Sequence, residues 1–262
     1  MELHGYDRYV FWDAKRGSPA ALKNSKLTVG ELGLWATTNE LLAASVASDE
    51  KDALHVCEDD CLFSPEFFLA LPNLIHQMEE HSLDVLFTDC YAGLNFMHLF
   101  LPVKVEEKIQ ILPGSKYYTG RTTSYIISRK AKKKLSDLIA LEVGRSSGPE
   151  VAIDIYFKLL AHNELNVGVC FPFLTTINPN PQISKSDISG QGTPTSPAVR
   201  WEALHTITSQ IFFIRSSELE LGKNYGDVLS ALTPQQLSVH YINTINCLIE
   251  MGYIEKARKG SS

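Results

Sequence analysis

The chain has 262 residues, of which 44% are hydrophobic and 21% charged, enough apolar material for one large domain or one domain with an appendage. Its formal net charge of −6 argues against a general nucleic-acid binder, because neutralising phosphates requires a net basic face.

Strand-length apolar runs alternate with helix-length amphipathic ones. YVFWDA, from Tyr9 to Ala14, reads as a strand, and Thr28 with Glu31 three residues later forms a capping-box pattern that opens a helix to about Ser48. ALHVC is a second strand. Ser64 is then placed as an N-cap with Pro65 at the first helical position, and the helix that follows carries Pro72 as a potential kink. DVLFTD, from Asp84 to Asp89, and TTSYIIS, from Thr122 to Ser128, read as strands, the latter ending on Ser128 as the cap of a helix through RKAKKKLSDLIA. PEVAIDIYFKLLAHN is one more helix before the strand NVGVCF. This order predicts an α/β fold with a mainly parallel sheet flanked by helices.

From Thr175 to Pro197 the chain is rich in Asn, Pro, Ser, Gly and Thr and reads as a long loop, a feature that is usually functional or mobile inside a compact domain. Beyond it the pattern is helical, with another capping box at Thr233-Pro234-Gln235-Gln236. The expected organisation is a catalytic-type domain over residues 1–197 and a C-terminal helical extension over 198–262. Cys57, Cys61, Cys90, Cys170 and Cys247 have no CxxC spacing and suggest neither a zinc ribbon nor a disulfide framework, which suits a reducing, cytoplasmic setting. No run reaches the roughly 18 apolar residues of a spanning helix, so contact with the inner face of a membrane is expected to be peripheral at most.

LHVCEDDCLF contains the most pointed signal, the adjacent acids Glu58, Asp59 and Asp60 directly after an apolar strand. One reading is a polar turn. The other is a cation site, since three neighbouring carboxylates repel one another unless solvated or neutralised, and magnesium and manganese favour oxygen ligands. In open α/β sheets ligands bind beyond the carboxyl ends of strands, where this triplet would lie. On that reading Asp60 contacts the metal directly, with Glu58 as second ligand, and Glu58 or Asp59 reaches the diphosphate that the metal holds.

The ordered blocks LTVGELGLWATTNELL, LHVCEDDCLFSPEFF, TTSYIISRKAKKKL, VAIDIYFKLL and SKSDI resemble those of glycosyltransferase family 25, the lipooligosaccharide glycosyltransferases related to collagen galactosyltransferases. The similarity runs from about Tyr9 to Ile188. It implies a GT-A type fold, a UDP-hexose donor with galactose foremost, a saccharide acceptor such as lipooligosaccharide, Mn2+ or Mg2+, and inversion at the anomeric carbon. Glu58-Asp59-Asp60 then corresponds to the family's acidic metal signature, Ser186 and Asp187 belong to a donor-side loop, and Asp154 matches an acid of the helix before the last strand. Asp154 is the expected general base, with Glu150 four residues earlier on the same helix face and Asp89 as the next candidate.

The chain departs from the family pattern in three places. It starts after the Asn-Leu strand that helps form a uridine pocket, has Gly33-Leu34 in place of Gly-Cys, and has Thr37-Thr38 in place of Ser-His. These departures keep open a catalytically inactive relative that binds a sugar nucleotide or a partner. A metal-dependent hydrolase using the same acids is a third reading. The cluster Arg129, Lys130, Lys132, Lys133 and Lys134 reads as a solvated helix face, His55 as a packed strand residue, and Trp12, Trp35 and Trp201 as core or groove aromatics.

Overall fold

The computed structural model describes residues 10–17, 25–48, 52–92, 96–100, 103 and 109–177. Ser186, Asp187, Trp201, Cys247 and the expected helical extension lie outside the described residues, as does all but the start of the expected 175–197 loop.

Helix α1 spans Val29–Ala47, and its first turn is the capping box expected from the sequence. Thr28 Oγ1 accepts the Glu31 amide at 3.2 Å, while Glu31 Oε2 accepts the Thr28 amide at 2.7 Å, which satisfies two donors that the helix itself leaves unpaired. Strands β1 (Leu54–Cys57) and β2 (Cys61–Phe63) follow, then α2 (Phe67–Glu80) and β3 (Val85–Phe87). A short helix α3 (Met97–Phe100), strand β4 (Gln110–Pro113), a one-turn helix α4 (Gly114–Tyr117) and strand β5 (Ser124–Ile127) come next. A 3-10 turn at Arg129–Ala131 leads into α5 (Lys132–Val143), and α6 (Ile153–Asn163), β6 (Val167–Phe171) and β7 (Thr175–Ile177) complete the described core.

The main sheet has the order β1-β5-β3-β6-β4, and β2 pairs with β7 in a separate two-stranded sheet. Strands β1, β3 and β6 point the same way. The expected mainly parallel pairing is nevertheless corrected, because only β3 and β6 are parallel neighbours while β5 and β4 pair antiparallel with theirs. Sequence alternation could not reveal this, since strands buried on both faces read as continuous apolar runs in either direction.

Alternation across the central strands divides the core into two layers. Val85, Phe87, Tyr125, Ile127, Val167, Val169 and Phe171 face one side, with Trp35 and Leu42 of α1, Leu135 and Ile139 of α5, and Phe157 and Leu160 of α6. Leu86, Ile126 and Cys170 face the other, where Phe67, Leu71, Leu74 and Met78 of α2 cover them. The result is a helix–sheet–helix sandwich, as an α/β pattern requires. Trp35 anchors it, with its indole N–H donating to the Val151 carbonyl at 3.0 Å and its ring 5.1 Å from that of Tyr156.

Other local expectations change. Residues 10–17 carry no strand, and Val10 and Phe11 are exposed, so the described part of the YVFWDA run, from Val10 on, is not a sheet element; Trp12 lines a groove with Lys15 and Glu40. Helix α2 begins two residues after Pro65 with Glu66 at its N-cap, and Ser64 instead offers its carbonyl to the Phe67 amide at 3.0 Å. Pro72 sits inside α2 without ending it. Ser128 flanks the 3-10 turn through its carbonyl, which accepts the Ala131 amide at 3.0 Å, and its hydroxyl makes no cap. The first residues of the expected 175–197 loop form β7. Lys130 Nζ donates to the Ser82 carbonyl at 2.8 Å, Lys134 Nζ to the Glu164 carbonyl, and Lys133 pairs with Asp137, so three members of the basic cluster are held in local contacts on α5 and its flank. No helix among the described residues is long and apolar enough to cross a membrane.

Two neighbouring expectations follow from this layering. Leu86→Ala, which empties a fully buried site between β3 and α2, lowers unfolding free energy by about 2–5 kcal/mol, whereas Leu69→Ala, on the exposed face of α2, changes it by no more than about 0.5 kcal/mol. Urea midpoints of the two variants measure the contrast.

Candidate functional site

The register of three strands builds the site. Cys57 lies opposite Ser124, so the next residue, Glu58, continues the ladder by donating its amide to the Thr123 carbonyl at 2.8 Å. On the other side of β5, Phe87 lies opposite Tyr125, and the Thr88 amide donates to the Ser124 carbonyl at 3.2 Å, which carries Asp89 past the sheet edge. Because β5 runs against both neighbours, the segment just before it, Thr119–Thr123, lies between the carboxyl ends of β1 and β3. Helix α6 precedes β6 and runs back across the sheet, so its first turn reaches the same edge.

Four acids from three elements meet this segment or its neighbours. Glu58 Oε1 accepts the Thr122 hydroxyl at 2.8 Å. Asp89, only 1% exposed, has Oδ2 3.6 Å from Nη1 of Arg121, whose side chain is 8% exposed. Asp154 Oδ2 accepts the Arg121 amide at 3.4 Å, and its Oδ1 accepts the Ile155 amide at 2.8 Å inside the first turn of α6, where the helix dipole favours a carboxylate. Asp60 completes the acidic turn, in which the Cys61 amide closes on the Glu58 carbonyl at 3.2 Å.

The connecting segment has an unusual backbone. Gly120 has φ +125°, and a Cβ there would stand 3.1 Å from Asp154 Oδ2, so glycine is needed for the carboxylate's close approach. Arg121 has φ +84°, a region that non-glycine residues seldom occupy and that costs about 1–3 kcal/mol. The segment is clamped on both sides: Tyr91 donates its amide to the Gly120 carbonyl at 3.0 Å, and the Tyr118 hydroxyl donates to the Arg121 carbonyl at 2.8 Å.

Crowded negative charge in a poorly solvated edge changes the titration of two acids. Burial pushes the Glu58 carboxyl up to about 7, with Asp60 and Asp59 adding to the rise, and Thr122 and Arg121 opposing it. Burial likewise pushes Asp89 up to about 7, against the pull of Arg121 and with the repulsion of Glu58 and Asp60. Asp59 is exposed and reads best as the solvated member of the turn.

The residues expected at the site divide clearly. Glu58 and Asp60 share the turn, and Asp154 is joined to it through Gly120-Arg121-Thr122. Glu150 is not: α6 begins only at Ile153, so Glu150 stands exposed in the preceding loop and the shared helix face expected for the pair is corrected. Arg121, which the sequence reading missed, carries the strained backbone and the ion pair; its only sequence signal was a glycine directly before it. His55 packs against Phe63 and Phe67 with Nε2 2.9 Å from the Ser124 hydroxyl, and burial lowers its titration to about 4. Thr38 is buried and hydrogen-bonded to Tyr125, while the Thr37 hydroxyl donates to the Gly33 carbonyl and accepts the Lys15 amide, both at 2.8 Å.

Among the described residues, no three of His, Cys, Asp or Glu are grouped so as to hold a metal ion. Glu58 and Asp60 form a two-carboxylate, all-oxygen donor set whose mutual repulsion a hard divalent cation would relieve. That set fits Mg2+ or Mn2+ when water or phosphate oxygens complete the coordination shell. No protein-family model matches the chain, and no curated protein matches it. Fold and site together define a mixed α/β domain with an acidic cluster, bridged by one arginine, at the strand ends.

The raised carboxyls set a pH dependence. Glu58 and Asp89 bind protons more tightly folded than unfolded, where ordinary values of 4.5 and 3.8 apply, so their stabilising contribution is full below those values and is lost as pH rises through about 7. Glu58→Gln therefore flattens the fall of Tm between about pH 4.5 and 7 and is more stable than the parent above pH 7; a calorimetric pH series checks this.

Proposed function

We propose that the chain is a glycosyltransferase that moves a hexose, galactose foremost, from a UDP-sugar to a saccharide acceptor such as lipooligosaccharide, with inversion. The observation that carries this reading is the meeting of the Glu58–Asp60 turn and Asp154 at one sheet edge through the Gly120–Thr122 segment. Sequence blocks and geometry support it together, because two of the blocks that resemble glycosyltransferase family 25, LHVCEDDCLFSPEFF and VAIDIYFKLL, supply the acids Glu58, Asp60 and Asp154 that the Gly120–Thr122 segment joins.

On this reading Asp60 and Glu58 hold a Mg2+ or Mn2+ ion together with the donor's diphosphate. A bound cation supplies electrostatic stabilisation of the leaving UDP. Asp154 accepts the acceptor hydroxyl proton as that oxygen attacks the anomeric carbon, and its partners at the Arg121 and Ile155 amides keep the carboxylate oriented. Asp89 is poorly suited to this task because it is buried against Arg121.

A second reading, a relative that binds the nucleotide without turnover, is favoured by one observation: both Asp154 oxygens already accept backbone amides. Two measurements separate the readings. Isothermal titration with UDP shows manganese-dependent binding in the parent and loss of that dependence in Asp60→Ala; equal, metal-independent binding by both removes the assignment of Asp60. Asp154→Asn keeps UDP and manganese affinity and lowers hexose transfer at least about 100-fold, the lower end for loss of a general base. A parent that binds UDP with metal yet transfers no hexose establishes the non-catalytic reading.

A further inference from the structure

We infer that Arg121 is the positioning residue of this site: its guanidinium holds Asp89 and its backbone amide holds Asp154, so one residue sets the spacing between the end of β3 and the first turn of α6. The role of Asp154 rests on the proposed transferase reading. The positioning itself does not.

The choice of residue is the first argument. Glycine meets a φ of +84° at least cost, yet an arginine occupies the position, so the side chain has to supply something that offsets the strain. What it supplies is reach. From a backbone turned toward Asp154, the guanidinium extends to 3.6 Å from Asp89 Oδ2 and lies 5.7 Å from the centre of the Tyr91 ring. A planar, delocalised cation suits that aromatic neighbour and that buried carboxylate better than a compact, strongly hydrated ammonium.

The clamps are the second argument. Tyr118, whose hydroxyl holds the Arg121 carbonyl, stacks on Phe87 with ring centres 3.8 Å apart, so the segment is tied to the buried β3 strand. Thr119 donates its hydroxyl to the Tyr91 carbonyl, and Tyr91 returns its amide to Gly120. Thr122 then reaches Glu58. Movement of Arg121 therefore moves the contacts of Glu58, Asp89 and Asp154 together.

Asp89 is the ligand-free reporter. The groups that face it are Arg121, Glu58 and Asp60, with Cys61, Cys90, Cys170 and Tyr118 as uncharged neighbours. Its carboxyl carbon is followed by NMR through a pH titration in the parent, Arg121→Gly, Arg121→Gln and Arg121→Lys, with Asp89→Asn used to assign the resonance. Arg121→Gly relieves the backbone strain and removes the charge, so the Asp89 midpoint moves above that of the parent by about one pH unit or more, while the residue-121 amide still responds to Asp154→Asn. Arg121→Gln gives the same rise without a change of backbone freedom, and Arg121→Lys restores part of the parent midpoint. A midpoint unchanged in both Arg121→Gly and Arg121→Gln, or a residue-121 amide in the parent that ignores Asp154→Asn, overturns the positioning role. Because no nucleotide or acceptor is present, a failed transferase assay leaves this test intact.

Discussion

A carboxylate buried at the end of a central strand constrains everything around it. Asp89 is almost wholly out of solvent, and an ion there is costly unless a counter-charge or a proton accompanies it. Arg121 provides the counter-charge from the segment that enters β5, and antiparallel pairing puts that segment between the ends of β1 and β3. The positive φ of Arg121, the glycine before it and the tyrosine clamps on either side all follow from bringing that guanidinium to Asp89 while the backbone amide still faces Asp154.

The electrostatic consequence is a pair of carboxyls that hold their protons more tightly than free ones do. Glu58 and Asp89 both titrate near 7 because solvent is scarce and like charges are close, with Arg121 offsetting only part of that repulsion. Stored electrostatic cost of this kind is common where a ligand or cation supplies the missing compensation, although structural ion-pair networks shift carboxyls too. Geometry adds weight to the ligand interpretation: the acids lie beyond the carboxyl ends of β1 and β3, where open α/β sheets place their ligands. The core beneath is aromatic, with Phe87, Tyr118, Tyr125 and Phe157 packed ring against ring below the edge.

Much of this framework is legible in the sequence, for identifiable reasons. The capping box at Thr28 and Glu31 is a local signal with a local cause, and it appears in the structure as read. ALHVC, DVLFTD, TTSYIIS and NVGVCF give β1, β3, β5 and β6 because each is a short apolar run bounded by polar residues. Strand direction is not written in those runs, and so the antiparallel placement of β5 came as a correction, while β4, Gln110–Pro113, was missed in the sequence altogether. YVFWDA has strand composition but no partner edge among the described residues, which shows that β-propensity describes a packed surface rather than an isolated segment. Within the site, the acidic triplet was visible because it is contiguous, and Asp154 through the resemblance of its block VAIDIYFKLL to glycosyltransferase family 25. Arg121 was not visible: nothing local distinguishes it, and its importance comes from contacts 32 and 33 positions away along the chain, at Asp89 and Asp154. Glu150 failed for the opposite reason, since Pro149 resembles a helix start and α6 opens only at Ile153.

The central claim is that the turn Glu58–Asp60 and the Arg121–Thr122 segment form one cation-dependent ligand site. Paramagnetic broadening tests it directly: manganese is added at low stoichiometry to the isotope-labelled protein with UDP present, and amide resonances are followed across the sheet. A shared site loses the signals of Glu58, Asp59, Asp60, Arg121 and Thr122 selectively, and magnesium in excess restores them. Broadening confined to exposed carboxylates such as Asp137 on α5, with the strand-end amides unaffected, would contradict it.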